Sequence, residues 1–193
     1  FGAARATVNR ALQELARAGL IERRRRAGTR VARHPVREAR FVIPLVRQEI
    51  ERQGKSYQYQ LLSRHETTAP DIVRARLGLD EKARLLHVRS LHLADRSPYQ
   101  FEDRWISLDT VPAVRDVDFS TVSPNEWLVE HEPFTDAEFT FFAAAASAEE
   151  AAVLGLQEGT PVFVGERITR LRNKSITLAR LVHPPSHRMV TQL

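Results

Sequence analysis

Apolar residues recur at helical spacing near the start of the chain. Val8, Leu12 and Leu15 fall at i, i+4 and i+7, which predicts an amphipathic helix over residues 6–19. Gly19 closes this segment, where a residue in the left-handed conformation commonly ends a helix. The helix therefore has one apolar stripe, and its other face is polar.

After the helix, the spacing of apolar residues changes from a helical to a strand-like pattern. Residues 20–31 predict a short β-hairpin that turns near Ala27 and Gly28. After a stretch without periodicity that contains Pro35, residues 45–53 predict a second short helix, and Gly54 closes it.

The remainder of the chain contains an internal repeat. At an offset of 77 positions, Leu77-Gly78-Leu79 falls on Leu154-Gly155-Leu156, and apolar positions continue to match beyond it. Each copy predicts a helix, a strand, a polar turn and a second strand, with turns at residues 95–97 and 172–174. Two such units predict an α+β domain with an antiparallel sheet, and the cleft between the copies is a natural ligand site.

Charge separates the chain into two parts. Residues 1–40 carry eleven arginines and three glutamates, a balance of +8, whereas the rest carries 18 basic and 21 acidic residues, a balance of −3. A basic segment on a neutral-to-acidic body indicates a polyanion-binding head. We therefore predict a head over residues 1–33, a linker over residues 34–42 and a second domain over residues 43–193.

Composition excludes several classes of protein. Hydrophobic residues make up 42% and charged residues 27%, as in ordinary globular proteins, and there is no apolar run of membrane-spanning length and no signal-peptide pattern. The absence of cysteine excludes thiolate chemistry and fits the cytoplasm. The sequence contains no recognisable catalytic motif, and no cofactor is predicted. A metal site is not predicted either, because His183 and His187 are the only histidines with ligand-like spacing. Since the chain begins at Phe1, we expect residues to precede it.

The polar side of the first helix suits DNA recognition. Arginine can bind guanine through two hydrogen bonds, asparagine or glutamine can do so with adenine, and threonine can hold a phosphate. Arginines on the hairpin would lie along phosphates or enter the minor groove. The candidate DNA-binding residues are Arg5, Thr7, Asn9, Arg10, Gln13, Arg26, Gly28 and Thr29.

The segment RATVNRALQELARAGLIERRRRAGTRVA resembles the second half of the winged helix-turn-helix of GntR-family repressors. The resemblance implies a recognition helix and a wing. It also implies a truncated domain, because the family's first helix and most of its second have no counterpart here. A repressor of this family is expected to be a homodimer that binds a palindromic operator in double-stranded DNA.

The body resembles the UTRA effector domain of the HutC branch of that family, whose fold is shared with chorismate lyase. The segments that carry this resemblance are residues 100–105 (QFEDRW), 124–129 (PNEWLV) and 177–184 (TLARLVHP). The resemblance implies a small-molecule effector, namely urocanate or a related imidazole carboxylate, and control of histidine-utilisation genes.

The same resemblance implies the effector residues. Sugar-phosphate sensors of this group carry an Arg-x-Arg pair where this chain has Ser90 and His92, so a pair of guanidiniums for a phosphate is predicted to be missing. Glu102 is expected to accept a hydrogen bond from the imidazole, and a basic side chain to meet the carboxylate. The full candidate set is Tyr57, Ser90, His92, Glu102, Arg104, Asn125, Thr177, Arg180 and His183.

Alternatives remain at several of these positions. His92 can be an ordinary hydrogen-bonded strand histidine, and Asn125 can simply cap the helix that begins near Pro124. The hairpin register is also open: a three-residue loop at 95–97 would place His92 and Glu102 on one face, and a two-residue loop would not. At the level of function, the alternatives are a chorismate lyase-like enzyme and a paralogous repressor that senses a different small carboxylate or a sugar.

Overall fold

The computed structural model describes residues 4–17, 21–24, 28–31, 43 and 45–189. The described chain falls into two compact units, of which the larger is Ile43–Met189. None of the described helices is long and apolar enough to cross a membrane.

The smaller unit contains one described helix and one described hairpin. Helix α1 is Arg5–Arg17, and strands β1 (Ile21–Arg24) and β2 (Gly28–Val31) pair antiparallel. Gly28 has φ +81°, a backbone conformation that only glycine adopts without strain. The residues of the expected cap (Gly19), the wing arginine Arg26 and the linker at 34–42 lie outside the described part.

The larger unit alternates helices with long strands. Its elements are α2 (Val46–Arg52), β3 (Tyr57–Thr68), α3 (Asp71–Leu77), β4 (Arg84–Ala94), β5 (Ser97–Ser107), a 3-10 turn (Pro112–Asp116), α4 (Pro124–His131), β6 (Asp136–Ala145), α5 (Ala148–Leu154), β7 (Pro161–Leu171) and β8 (Lys174–His183). In the described residues, β3 to β8 form one six-stranded sheet in the order β3-β4-β5-β8-β7-β6. All five pairs of neighbouring strands in this sheet are antiparallel. This is the antiparallel α+β architecture that the sequence predicts.

The repeat of 77 positions recurs in the structure. Helices α3 and α5 have the same length and end on glycines in the left-handed conformation, Gly78 (φ +64°) and Gly155 (φ +68°). Strands β4 and β7 also begin 77 positions apart, at Arg84 and Pro161. The second strands of the two copies, β5 and β8, pair at the middle of the sheet, so the copies meet there.

The hairpin turns lie at the predicted positions, 95–97 and 172–174, where the sequence leaves the loop length open. Each turn has two residues, both with positive φ, and the first is Asp95-Arg96. Two positive φ values twist the hairpin in the right-handed sense of the strands. Tyr99 then bulges out of the register, so Ser90 pairs with Glu102 and His92 with Gln100. The expectation that a two-residue loop would separate His92 from Glu102 was wrong, because the β-bulge restores the shared face.

The two faces of the sheet carry separate cores. One face packs against α4 and the 3-10 turn through Val88, Ile106 and Leu128, and we call it the α4 face. The other packs against α3 and α5 through Leu85, Leu154 and Val164, and we call it the α3/α5 face. Because side chains alternate along a strand, each register fixes which residues reach which face.

Candidate effector site

A buried charged cluster lies on the α4 face where the two repeats meet. Arg104 of β5 and Arg167 of β7 both pair in register with Ala179 of β8, which lies between them. Cross-strand partners share a face, so both guanidiniums project to the same side. The small side chain of Ala179 leaves them room to approach each other.

Two arginines of this cluster converge on one amide oxygen. Nη2 of Arg104 lies 3.4 Å from Oδ1 of Asn125, and Nη2 of Arg167 donates to the same oxygen. Arg104 also donates from Nε to Oε1 of Glu102 at 2.5 Å and from Nη1 to Oγ1 of Thr177 at 3.3 Å. Asn125 and Thr177 are thus held by charge-assisted hydrogen bonds.

The cluster carries excess positive charge. Glu102, Arg104 and Arg167 are all buried, and within the described residues no carboxylate forms an ion pair with Arg167. Burial alone would raise the pKa of Glu102, but Arg104 and His92 outweigh it and lower that pKa, so Glu102 is ionised. Burial and the neighbouring Arg104 lower the pKa of Arg167 to about 9, which still leaves it charged at neutral pH. Two buried cations with one buried anion favour an anionic ligand.

A second group of polar atoms adjoins the arginines. Tyr57 Oη lies 2.9 Å from Nδ1 of His92, and Nε2 of His92 lies 3.6 Å from Oε2 of Glu102. Several buried polar atoms of this group form no hydrogen bond to any described residue: Tyr59 Oη, Ser90 Oγ, His92 Nε2 and Glu102 Oε2. Buried polar groups are nearly always hydrogen-bonded, so this concentration marks a surface made for a polar ligand or for water.

The cavity beside the arginines is small. It measures about 20 Å³ and is lined by Ile43, Arg104, Asn125, Leu128, Phe134, Arg167 and Thr177, among others. This is the space of about one water molecule. A ligand of several heavy atoms therefore requires α4 or the segment around Phe134 to move away from the sheet.

Helix α4 supplies Asn125 to the cluster and connects it to α2. Oγ of Ser123 accepts the hydrogen bond of the Glu126 amide at 3.2 Å, so Ser123 is the cap and Asn125 is not. Arg47 of α2 pairs with Glu126 at 3.3 Å, and its guanidinium lies 4.6 Å from the ring centre of Tyr57. Arg47 thus contacts both sides of the site.

Most of the effector candidates share this face, and Arg180 does not. The structure brings together Tyr57, Ser90, His92, Glu102, Arg104, Asn125 and Thr177. Arg180 pairs in register with Asp103, so it projects from the α3/α5 face, where it binds Glu150 and Glu166. We therefore correct the expectation that Arg180 joins Glu102 in one cleft.

His183 lies on the α4 face but at its end. Its Nδ1 is 3.2 Å from the carbonyl oxygen of Tyr99, and its ring stacks on His187 with 3.8 Å between centres. Burial and His187 lower the pKa of His183 to about 3, so it is neutral at pH 7 and supplies no charge for a carboxylate.

Sequence reasoning missed Arg167. It lies 77 positions after Ser90, so it occupies in the second repeat the position equivalent to Ser90, where sugar-phosphate sensors are expected to carry an arginine. The inference that this chain has no guanidinium pair was wrong, because Arg104 and Arg167 form one from different strands. Extending the repeat alignment to Ser90 would have found it.

The candidate DNA-binding residues of α1 are accessible. Thr7, Asn9, Arg10 and Gln13 are exposed, as are Gly28 and Thr29 of the hairpin. Among the described residues, no group of three or more His, Asp or Glu side chains could hold a metal ion.

Comparison with known proteins identifies the class to which this fold and site belong. The UTRA domain family matches residues 52–188. The chain belongs to the GntR family of regulators, in the HutC branch that carries this domain.

Particular relatives agree with that placement. The histidine utilization repressor of Pseudomonas putida is 32% identical over 190 residues, which cover 98% of this chain and 77% of that protein. The crystal structure of the C-terminal domain of the Pseudomonas syringae histidine utilization repressor superposes with a TM-score of 0.67 at 27% identity, covering 72% of this chain and 99% of that one. PhnF from Mycobacterium smegmatis gives a TM-score of 0.69 at 27% identity, covering 97% of this chain and 84% of that one.

Proposed function

We propose that this protein is a DNA-binding transcriptional repressor whose larger unit binds a small anionic effector on the α4 face. The effector we propose is urocanate or a related imidazole carboxylate, and the genes under control are those of histidine utilisation. The observation that carries the proposal is the convergence of Arg104 and Arg167 on Asn125 with a single buried carboxylate nearby.

The chemistry of the two ends of the site supports this ligand. A carboxylate would replace the amide oxygen of Asn125 as the acceptor for both guanidiniums, which strengthens the hydrogen bonds because both partners are then charged. An imidazole N–H would meet Oε2 of Glu102, and the ring nitrogen without hydrogen would meet Oγ of Ser90 or Oη of Tyr59. Urocanate has both groups in one plane.

The proposed DNA contacts are those of the smaller unit. Exposed Thr7, Asn9, Arg10 and Gln13 would face the major groove, and the hairpin with Arg26 and Thr29 would follow the phosphates. A homodimer would place two such helices on a palindromic operator.

The proposed switch is mechanical. Because the cavity holds about one water molecule, effector binding would displace α4 or the segment around Phe134. We propose that α4 moves, since Arg47 couples α4 and β3 to α2. Helix α2 is the first element of the larger unit after the residues that follow the hairpin. A change in α2 would alter the spacing of the two DNA-binding units, and by linkage operator binding must weaken effector binding by the same factor.

Calorimetric titration with urocanate tests the proposal. Arg167→Met removes one guanidinium and should weaken urocanate binding by about 100-fold, as expected for a buried hydrogen-bonded charge. Arg170→Met is the matched control, because Arg170 lies three residues further along β7 and pairs with Asp136 and Glu138 outside the cluster. Equal affinity in the two variants would refute the site.

The choice of ligand and the class of protein have their own controls. A sugar phosphate that binds with dependence on Arg167, while urocanate does not bind, would keep the anion site and refute the imidazole carboxylate. Conversion of chorismate or urocanate by the protein would favour the enzyme alternative.

A further inference from the structure

The α3/α5 face contains a second and larger cavity. It measures about 230 Å³ and lies on β5 and β8, where the repeats meet, beneath α3. Its lining residues are Ile72, Val73, Arg76, Asp103, Trp105, Glu166, Leu178 and Arg180, none of which lines the cavity on the α4 face. The volume is more than ten times that of the cavity on the α4 face, and it suits a molecule of amino-acid size.

Four charged residues of alternating sign form a row across this face, and three of them line the cavity. Arg89, Asp103, Arg180 and Glu166 pair in register across β4, β5, β8 and β7. The two copies carry opposite charges at equivalent positions, since Asp103 and Arg180 are 77 residues apart. The middle of the face thus presents an acidic and a basic group side by side.

The basic side of the cavity has unused donors. Nη1 of Arg76 donates to Glu166, and Arg180 uses Nε for Glu150 at 2.9 Å and Nη1 for Glu166 at 3.4 Å. A guanidinium has five N–H donors, so nitrogens of both arginines remain for a carboxylate. Both side chains are about one-third exposed, which keeps them accessible from the cavity.

The acidic side differs in its pairing. Asp103 accepts a hydrogen bond from His87, whose Nε2 lies 2.9 Å from Oδ1. Within the described chain no arginine or lysine pairs with Asp103, although Arg89 and Arg180 are its register partners. Its other oxygen can accept from an ammonium group.

The floor and rim of the cavity are apolar. Trp105 and Leu178 form the floor, and the indole is held by stacking on His87 with 3.8 Å between ring centres. Ile72 also lines the cavity and is 72% exposed, so its side chain is free to pack against a ligand. These groups favour an apolar ligand body.

We propose that this cavity binds a free amino acid with an apolar or aromatic side chain. Its ammonium group binds Asp103, and its carboxylate binds Arg76 and Arg180. Its side chain packs against Trp105, Leu178 and Ile72. This site is separate from the effector site on the α4 face, and neither depends on the other.

Tryptophan fluorescence tests the proposal directly. The chain has two tryptophans, so Trp127→Phe leaves Trp105 as the reporter. In that background, we expect L-leucine and L-phenylalanine to change the Trp105 emission with saturation. Isocaproate, which lacks the ammonium group, and isoamylamine, which lacks the carboxylate, should each bind at least about tenfold more weakly, or 1.4 kcal/mol.

Two variants locate the site. Asp103→Asn preserves shape and removes the charge, so leucine should bind it about tenfold more weakly, whereas Arg167→Met on the other face should leave leucine binding unchanged. Equal binding by Asp103→Asn, or no saturable response to any of these compounds, would overturn the proposal. The proposal would also be overturned if the Trp105 emission changed with protein concentration and not with ligand concentration. The face would then be an interface between two copies of the chain.

Discussion

The two repeats of the sheet have the same backbone plan and place different side chains beneath α4. Each has an eleven-residue first strand, a two-residue turn and a bulge in its second strand. At equivalent positions, however, the first repeat carries four polar residues, and the second carries two polar and two apolar ones. The pairs are Ser90 and Arg167, His92 and Thr169, Glu102 and Ala179, and Arg104 and Leu181.

Under the proposed function, the difference means that the effector site needs both repeats. The first supplies the carboxylate Glu102 and the guanidinium Arg104, and the second supplies the other guanidinium, Arg167. Ala179 is small, which leaves room for both guanidiniums. It is also uncharged, whereas a glutamate at this position would neutralise the excess positive charge. The two repeats therefore form the cleft with the same backbone plan. Because their side chains differ, the cleft carries a net positive charge.

The edge strands differ as well. Strand β3 of the first half is covered by α2, which contacts it through Arg47 and Tyr57. Strand β6 at the other edge leaves Phe141 and Phe142 each 37% exposed. Among the residues that the structure describes, the first edge is thus the one that contacts α2.

Making the first repeat resemble the second should have the largest effect. Glu102→Ala introduces the residue of the second repeat and leaves two buried guanidiniums without a carboxylate. We expect a loss of about 3–5 kcal/mol in the free energy of unfolding, measured by urea denaturation. The neighbouring Asp103→Asn, on the other face and partly exposed, should cost less than about 1 kcal/mol. Similar losses in the two variants would contradict this account.

The second repeat carries a histidine where the first has a buried isoleucine, since His183 lies 77 positions after Ile106. The pKa of His183 is lowered to about 3 by burial, against about 6.5 when unfolded. The folded state therefore resists protonation, and stability is lost as pH falls from about 6.5 towards 3. Between pH 7 and 5 this loss is about 2 kcal/mol.

His183→Asn should remove this pH dependence. The asparagine amide can take the place of Nδ1 as donor to the Tyr99 carbonyl, and it does not titrate. Thermal unfolding at several pH values should show a flatter acid limb in the variant than in the parent protein. His187→Asn should change the slope less, because His187 is more exposed. An unchanged slope in His183→Asn would show that other groups cause the acid loss.

Sequence reasoning found the sheet and the repeat because both depend on local patterns. Alternation of apolar residues and the glycines Gly78 and Gly155 define the elements without reference to their packing. The bulge at Tyr99 escaped it, because a bulge depends on pairing with another strand rather than on the residue itself.

The site was predicted only in part for the same reason. Ser90, His92, Glu102 and Arg104 lie on one hairpin, so their common face follows from one register. Arg167 lies on the same face as these residues, and Arg180 lies on the opposite face. Both placements depend on the pairing registers of β5, β8 and β7, and β5 is far from the other two strands in sequence. Such registers are set by tertiary packing, which a single sequence does not display.

The link between the first edge and α2 can be tested with Arg47→Met. Methionine keeps much of the apolar stem and loses the contacts with Glu126 and the Tyr57 ring. Under the proposed function, the affinity of the variant for urocanate should stay within about threefold of the parent value. The factor by which urocanate weakens operator binding should be about tenfold smaller in the variant. Fluorescence anisotropy with promoter DNA measures this on the protein expressed from its complete gene. Undiminished release by urocanate would place the coupling elsewhere.

The smallest effect concerns the two turns. Arg96 has φ +66° and its counterpart Asn173 has φ +68°, both in the left-handed region. Asparagine tolerates this region better than arginine does, so more strain is stored at Arg96 than at Asn173. Arg96→Gly should therefore raise the free energy of unfolding by about 1 kcal/mol, and Asn173→Gly by less than half of that. Chemical denaturation of both variants checks the order, and an equal gain in the two variants would mean that these two positions do not differ in strain.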